Sequence, residues 1–188
     1  MAGVRLYAIG HSTHPIEAFI ELLKAHGVRA VADVRTVPKS RHVPQFNQEA
    51  LTQSLVAAGL GYHHIPRLGG LRKPRPDSLN LGWRNTGFRG FADHMQTETF
   101  ETGLTELLTL AEASGPAVFM CAEALPWRCH RSLIADALMA HGYEVLQLDS
   151  QGHAKPHALT RFAVITNGKV GYPSTSPSPP RGEGRDEG

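Results

Sequence analysis

The sequence predicts a three-layer α/β fold, a mostly parallel sheet with helices on both faces. Three observations predict it. Short apolar runs alternate with segments of helical periodicity from one end of the chain to the other. The chain opens as strand, helix, strand, a unit that favours parallel strands joined by a right-handed crossover. The 188 residues, with 41% hydrophobic and 19% charged, suit one globular domain large enough to bury a core.

The elements follow in order. Val4 to Ile9 (VRLYAI) is a short apolar run ending at Gly10 and reads as a buried strand. Ser12 or Thr13 can cap the next helix, and Pro15 suits its first turn. Ile16, Phe19, Ile20 and Leu23 lie at helical spacing before the stop at Gly27, and Ala30 to Val34 is the second strand. Asn47 opens a second helix with Leu51, Leu55, Val56 and Leu60 on one face, and Tyr62 to Ile65 is a third strand. From Arg67 to Arg89 runs a long loop rich in Gly, Pro, Arg and Asn, of the kind that is usually functional or mobile. Phe91 to Met95 suits a short helix, and Phe100 to Ala113 a clear amphipathic one ending at Gly115. Ala117 to Met120 is a strand leading into Cys121, Arg131 to His141 a helix stopped by Gly142, and Val145 to Leu148 a strand. Phe162 to Thr166 is read as the last strand. Residues 1–172 therefore form a single α/β domain, and 173–188, rich in Pro, Ser and Gly and then charged, are expected to be a disordered tail.

A formal charge of +2 is too small to argue for a general nucleic-acid binder, while a pI near 8.7 permits an anionic ligand. Two cysteines do not make the disulfide framework of a small secreted domain. The N-terminal stretch has no apolar region of signal-peptide length, and no run approaches the roughly 18–20 apolar residues that span a bilayer. A cytoplasmic protein with no membrane partner is expected.

In such sheets ligands bind beyond the carboxyl ends of the strands. Those ends carry Gly10-His11-Ser12, Asp33-Val34-Arg35 and Cys121-Ala122-Glu123. The segment CAEALPWRCHRS, residues 121–132, combines features that a structural loop does not need. It joins a buried strand to a helix whose first-turn N–H groups form an anion site. Arg128 and Arg131 can add bidentate donors, and the same field would favour a thiolate at Cys121 or Cys129. Glu123 and His130 are acid/base candidates beside them.

Three site patterns can be set against this segment. A phosphatase or rhodanese-type loop fits in architecture, but Arg128 and Arg131 lie too far from Cys121, and Pro126 and Trp127 replace small residues. A zinc deaminase pattern finds its first half in Cys121-Ala122-Glu123, yet only Cys129 follows. Adjacent Cys129 and His130 on a helix would point apart, so no metal ligands are assigned. A reversible disulfide between Cys121 and Cys129 is geometrically open, without the close C-x-x-C spacing.

Ile9-Gly10-His11-Ser12, Asp33-Val34-Arg35, the Pro38–Phe46 stretch with Ser40 and Arg41, Leu68-Gly69-Gly70, Cys121-x-Glu123 and Cys129-His130-Arg131 together resemble the domain of unknown function 488 family. The resemblance covers about residues 5 to 166. It implies a compact α/β domain of prokaryotes with no settled activity, so it strengthens the fold and the site and supplies no reaction.

The remaining positions are read individually. Ser12 is as well explained by capping as by ligand contact. Asp33 and Arg35 are expected on opposite sides of the sheet. Ser40 and Arg41 belong to a Pro-bounded loop that can close over a ligand, with Phe46 either stacking on a base or anchoring the loop. Gly69 and Gly70 permit close backbone approach. Arg67, Arg72, Arg75, Arg84 and Arg89 interleave with Trp83 and Phe88, a pattern that suits stacked bases and phosphates. His157 is a weak general-base candidate.

The leading expectation is a domain that binds or acts on a phosphate-bearing small molecule such as a nucleotide. Arg131, Arg35 and Arg41 would hold the anion, with Cys121 or Cys129 as nucleophile or sensor thiol. The alternatives are a nucleic-acid base-recognition module and a redox or metal-linked regulator using both cysteines. No cofactor is assigned; no G-x-G-x-x-G follows the first strand. The oligomeric state is left open.

Overall fold

A computed structural model describes residues 3–174. The tail expected from 173 onward lies, except for its first two residues, outside the described residues. The main elements are β1 (Leu6–Gly10), α1 (Ile16–Ala25), β2 (Ala30–Asp33), α2 (Gln48–Ala57), β3 (Gly61–His64), α3 (Thr86–His94), α4 (Glu98–Ser114), β4 (Ala117–Cys121), α5 (Arg131–Ala140) and β5 (Val145–Leu148). Three short strands follow, β6 (Ala154–Pro156), β7 (Val164–Thr166) and β8 (Lys169–Gly171).

The main sheet has the order β3-β2-β4-β1-β5-β6, parallel except for β6. Strand alternation sorts its side chains into two cores. Tyr7, Ile9, Val31, Val118 and Met120 meet Phe19 and Leu23 of α1 and Leu51 and Leu55 of α2. Leu6, Ala8, Ala32, Phe119 and Cys121 face the other way, onto Phe91, Phe100, Leu104, Leu133 and Ile134. The result is the expected three layers, with α1 and α2 on one face and α3, α4 and α5 on the other.

The chain leaves β1 over the α1 face and leaves β4 over the α5 face. β1 and β4 are neighbours, with Gly10 opposite Cys121. Their carboxyl ends therefore diverge to opposite sides and open a crevice at the switch of strand order, where ligands of such sheets bind. Backbone bonds close its floor: His11 N–H donates to Cys121 O at 2.8 Å and Ser12 N–H to Ala122 O at 2.9 Å.

Several elements differ from expectation. Ser12 caps no helix; it has φ of 46° in the turn tied to Ala122, and α1 begins after Pro15. The helix read at Phe91 to Met95 starts earlier, at Thr86, because Asn85 Oδ1 accepts the Phe88 N–H at 3.0 Å. Thr97 Oγ1 likewise accepts from Phe100 N–H, so α4 starts at Glu98. The strand read at Phe162 to Thr166 does not join the main sheet. It pairs as β7 with β8 in a hairpin turned by Asn167 and Gly168, both with positive φ. Among the described residues, no helix is long and apolar enough to cross a membrane.

Candidate functional site

Cys121 ends β4 and Cys129 precedes α5, and the loop between them brings the two sulfurs to 2.6 Å. Both are free thiols and both are buried. Arg131, in the first turn of α5, reaches back beneath the loop. Its Nη1 donates to Cys121 Sγ at 2.9 Å and to the Glu123 carbonyl, and its Nη2 donates to Ala124 O at 2.8 Å. The side chain is fully buried, and among the described residues no carboxylate pairs with it. A buried guanidinium needs a counter-charge, and the Cys121 thiolate is the group placed to supply it. Burial alone would raise the Cys121 pKa, but the hydrogen bond from Cys129 and the charge and N–H of Arg131 outweigh it and bring the thiol down to about 7. Cys129 is pushed the other way by its burial and by the sulfur it donates to. The two sulfurs are driven apart, Cys121 toward the thiolate and Cys129 toward the thiol.

His130 sets the second cysteine. Its Nε2 lies 3.0 Å from Val34 O, which can only accept, so Nε2 carries the hydrogen. The bare Nδ1 then faces Cys129 Sγ at 3.5 Å. Burial lowers the His130 pKa to about 4 and keeps the ring neutral. Two glycines make room for this packing. A Cβ on Gly10 would lie 1.7 Å from Glu123 O, and one on Gly70 would lie 2.6 Å from His130 Nδ1.

Behind Arg131 runs a buried relay. Arg131 Nε donates to Gln147 Oε1 at 3.3 Å, Gln147 Nε2 donates to His157 Nδ1 at 3.2 Å, and His157 Nε2 donates to Asp136 Oδ1 at 2.9 Å. Asp136 also accepts from the Tyr172 hydroxyl at 2.7 Å. Gln147 of β5, Asp136 of α5 and Tyr172, just past β8, are thus chained to the thiolate's counter-ion.

Across the crevice, Asp33 and Arg35 form a buried ion pair, Nη2 to Oδ2 at 2.7 Å. This corrects the expectation that they face opposite sides; residues two apart along an extended strand share one face. Arg35 Nη2 also donates to Phe46 O at 2.7 Å and Nη1 to His11 Nε2 at 3.3 Å. His11 stacks on Phe46 with centroids 4.3 Å apart, and burial brings its pKa to about 4. Phe46 is wholly buried and anchors the loop.

Above these groups lies a cleft of about 720 Å³. Of the residues expected from sequence, His11, Ser12, Arg35, Ser40, Gly70, Cys121, Glu123, Cys129 and His130 line it. Arg131 and Asp33 sit behind it and touch its floor through Cys121 and Arg35. Arg131 therefore grips the thiolate, where an anion contact was expected. Arg41 is exposed outside the cleft, while its loop neighbours Lys39 and His42 line it. Gly69 is buried against Thr36 instead, and Arg89 turns away to donate to Trp83 O at 3.0 and 2.8 Å. The helix amides expected to cradle an anion are occupied: Arg131 N–H meets Cys129 Sγ, and Ser132 N–H donates to Cys129 O. Among the described residues, the free cationic side chains of the cleft are Lys39 and Arg128, with His42 beside them. His157 lies in the relay and not in the cleft.

The long loop is also folded differently from its expected use. Trp83 packs on Phe88, Phe162 and Tyr172 at 4.9, 4.8 and 5.5 Å between centroids, and Arg75 pairs with Asp77. Among the described residues, no group of three or more His, Cys, Asp or Glu side chains is placed to hold a metal ion.

The family described as Domain of unknown function DUF488 matches residues 15–138. The chain belongs to this family. No curated protein and no solved structure matches it. The match spans Arg35, both cysteines and Arg131, while His11 and Ser12 of the cleft and Gln147 and His157 of the relay lie beyond it.

Proposed function

We propose that this DUF488 domain binds a small anionic molecule, a phosphate-bearing one such as a nucleotide in the first instance, and presents it to the Cys121 thiolate. One observation carries the reading: Cys121 lies at the floor of a cleft at the strand-order switch, with its charge met from behind by buried Arg131 and the rim carrying Lys39 and Arg128. The counter-ion behind the sulfur leaves the rim cations free for a ligand. Phe88 and the exposed Leu71 on the cleft wall offer apolar area to a base or similar ring. The nucleic-acid reading has less support, because Trp83 is taken up by packing and Arg89 by its carbonyl bond.

Thermal shift against inorganic phosphate, nucleoside monophosphates and nucleoside diphosphates tests the proposal. A ligand at 100 times its Kd stabilises by about 2.7 kcal/mol, which is about 5–10 °C for a domain of this size. The shift should vanish in Lys39→Ala/Arg128→Ala and survive in Arg41→Ala. A ligand shift of equal size in the double variant refutes the assignment of the rim.

A further inference from the structure

We propose that the site carries out thiol–disulfide exchange on a small anionic disulfide, with Cys121 as attacking thiolate and Cys129 as resolving thiol. This rests on the reading of the cleft given above and names its substrate class. Two independent features converge. The two sulfurs are in contact, and among the described residues only Cys121 takes a hydrogen bond from a cationic side chain. Both sulfurs and His130 also border the same cleft, whose free charges are mostly positive. A nucleophile for hydrolysis or group transfer needs only the first cysteine. A second thiol held against the first is what resolution of a mixed disulfide requires.

The steps balance. The Cys121 thiolate attacks one sulfur of R–S–S–R; a Cys121–S–R bond forms, the substrate S–S bond breaks and R–S⁻ leaves. Cys129 Sγ then attacks Cys121 Sγ, its proton passing to the departing R–S⁻. The Cys121–Cys129 bond forms, the Cys121–S–R bond breaks and the second product departs as R–SH. The substrate disulfide gains two electrons and becomes two thiols; the protein dithiol loses two and becomes a disulfide. A dithiol reductant returns the protein to its starting state.

The test uses the full chain, reduced and freed of reductant, mixed with coenzyme A disulfide (phosphate-bearing), glutathione disulfide (carboxylate-bearing) or hydroxyethyl disulfide (neutral). Released thiol and intact mass are followed. Wild type should release two thiols per disulfide and lose two hydrogens in mass. Cys129→Ser should release one and hold the adduct, and Cys121→Ser should release none. Anionic disulfides should react on the order of tenfold faster than the neutral one at low salt, the gap closing as salt rises. Faster reaction of coenzyme A disulfide than glutathione disulfide assigns the rim to phosphate, and the reverse assigns it to carboxylate. A lasting wild-type adduct, or no release with any disulfide, overturns the exchange. If coenzyme A disulfide still shields Cys121 from iodoacetamide in that case, anion binding at the cleft stands alone. If it does not, both readings fall. Should the serine variants fail to fold, iodoacetamide trapping of wild-type intermediates separates the same outcomes.

Discussion

The Arg131 guanidinium sits 2.9 Å from the Cys121 sulfur, and neither residue is open to solvent by more than 2%. A charge held there in the absence of a carboxylate binds the thiolate far more strongly than the thiol. Reaction with iodoacetamide should therefore titrate with a midpoint close to 7. Arg131→Met removes the attraction while leaving the burial, and the midpoint should move above the ordinary thiol value. The pH profile of alkylation rate checks both.

The same pair links stability to pH. The folded Cys121 pKa lies below its unfolded value, so its stabilisation is complete above the unfolded pKa, near 8.5–9, and is lost as pH falls through about 7. The size is roughly 2 kcal/mol. Cys129 is raised, so it withdraws stability as pH climbs past the unfolded thiol value. Urea unfolding of the reduced protein should then show a maximum near pH 8–9, and Cys121→Ser should remove the rise between about 7 and 9.

Gln147 holds Arg131 from behind through its Oε1, and His157 fixes which way the amide points. Gln147→Leu keeps the volume and removes the acceptor. The Cys121 alkylation midpoint should rise by about half a pH unit, a fraction of the roughly 1.5–3 kcal/mol attributed to a hydrogen bond from a charged donor. A purely structural role would change the unfolding midpoint and leave the pH profile in place.

Much of this site was legible in the sequence, but not its wiring. Cys121, Glu123, Cys129, His130 and Arg131 stand out because polar groups crowd one strand end. Their partners Gly10 and His11 were legible only as another strand end. That β1 lies beside β4 depends on crossovers that skip a strand, and no local pattern encodes the skip. The Asp33–Arg35 pair was readable from the two-residue period. Trp83 misled because its neighbours in sequence are polar, while its packing partners Phe162 and Tyr172 arrive from the far end of the domain. Lys39 and His42 flank Ser40 and Arg41 in one loop, and only its folded course decides which side chains turn inward.

Two glycines give the sharpest steric test. A Gly10→Ala methyl would collide with the Glu123 carbonyl, a backbone atom that cannot step aside without moving the Cys121–Cys129 loop. The cost should reach about 3 kcal/mol, the upper end for overpacking, and the Cys121 midpoint should rise with the displaced loop. Gly70→Ala meets only the edge of the His130 ring, so about 1–2 kcal/mol is expected. Urea titration with parallel alkylation profiles separates the two.

The opposite wall of the cleft depends on a charge pair with almost no contact with water. Arg35 spends Nε and Nη2 on Asp33, with the Tyr62 hydroxyl completing the carboxylate at 2.6 Å. Asp33→Asn preserves shape and several hydrogen bonds but leaves the guanidinium without its counter-charge. Breaking a buried pair from one side costs about 3–5 kcal/mol. Arg35 is also the residue that holds His11 and the Phe46 carbonyl, so the Pro38–Pro44 loop carrying Lys39 should loosen with it. Hydrogen exchange across residues 36–47 should quicken in Asp33→Asn and stay unchanged in Arg41→Ala, whose side chain lies on the outer surface of the same loop. Equal exchange in Asp33→Asn and wild type would show that the ion pair supports the sheet and not the loop.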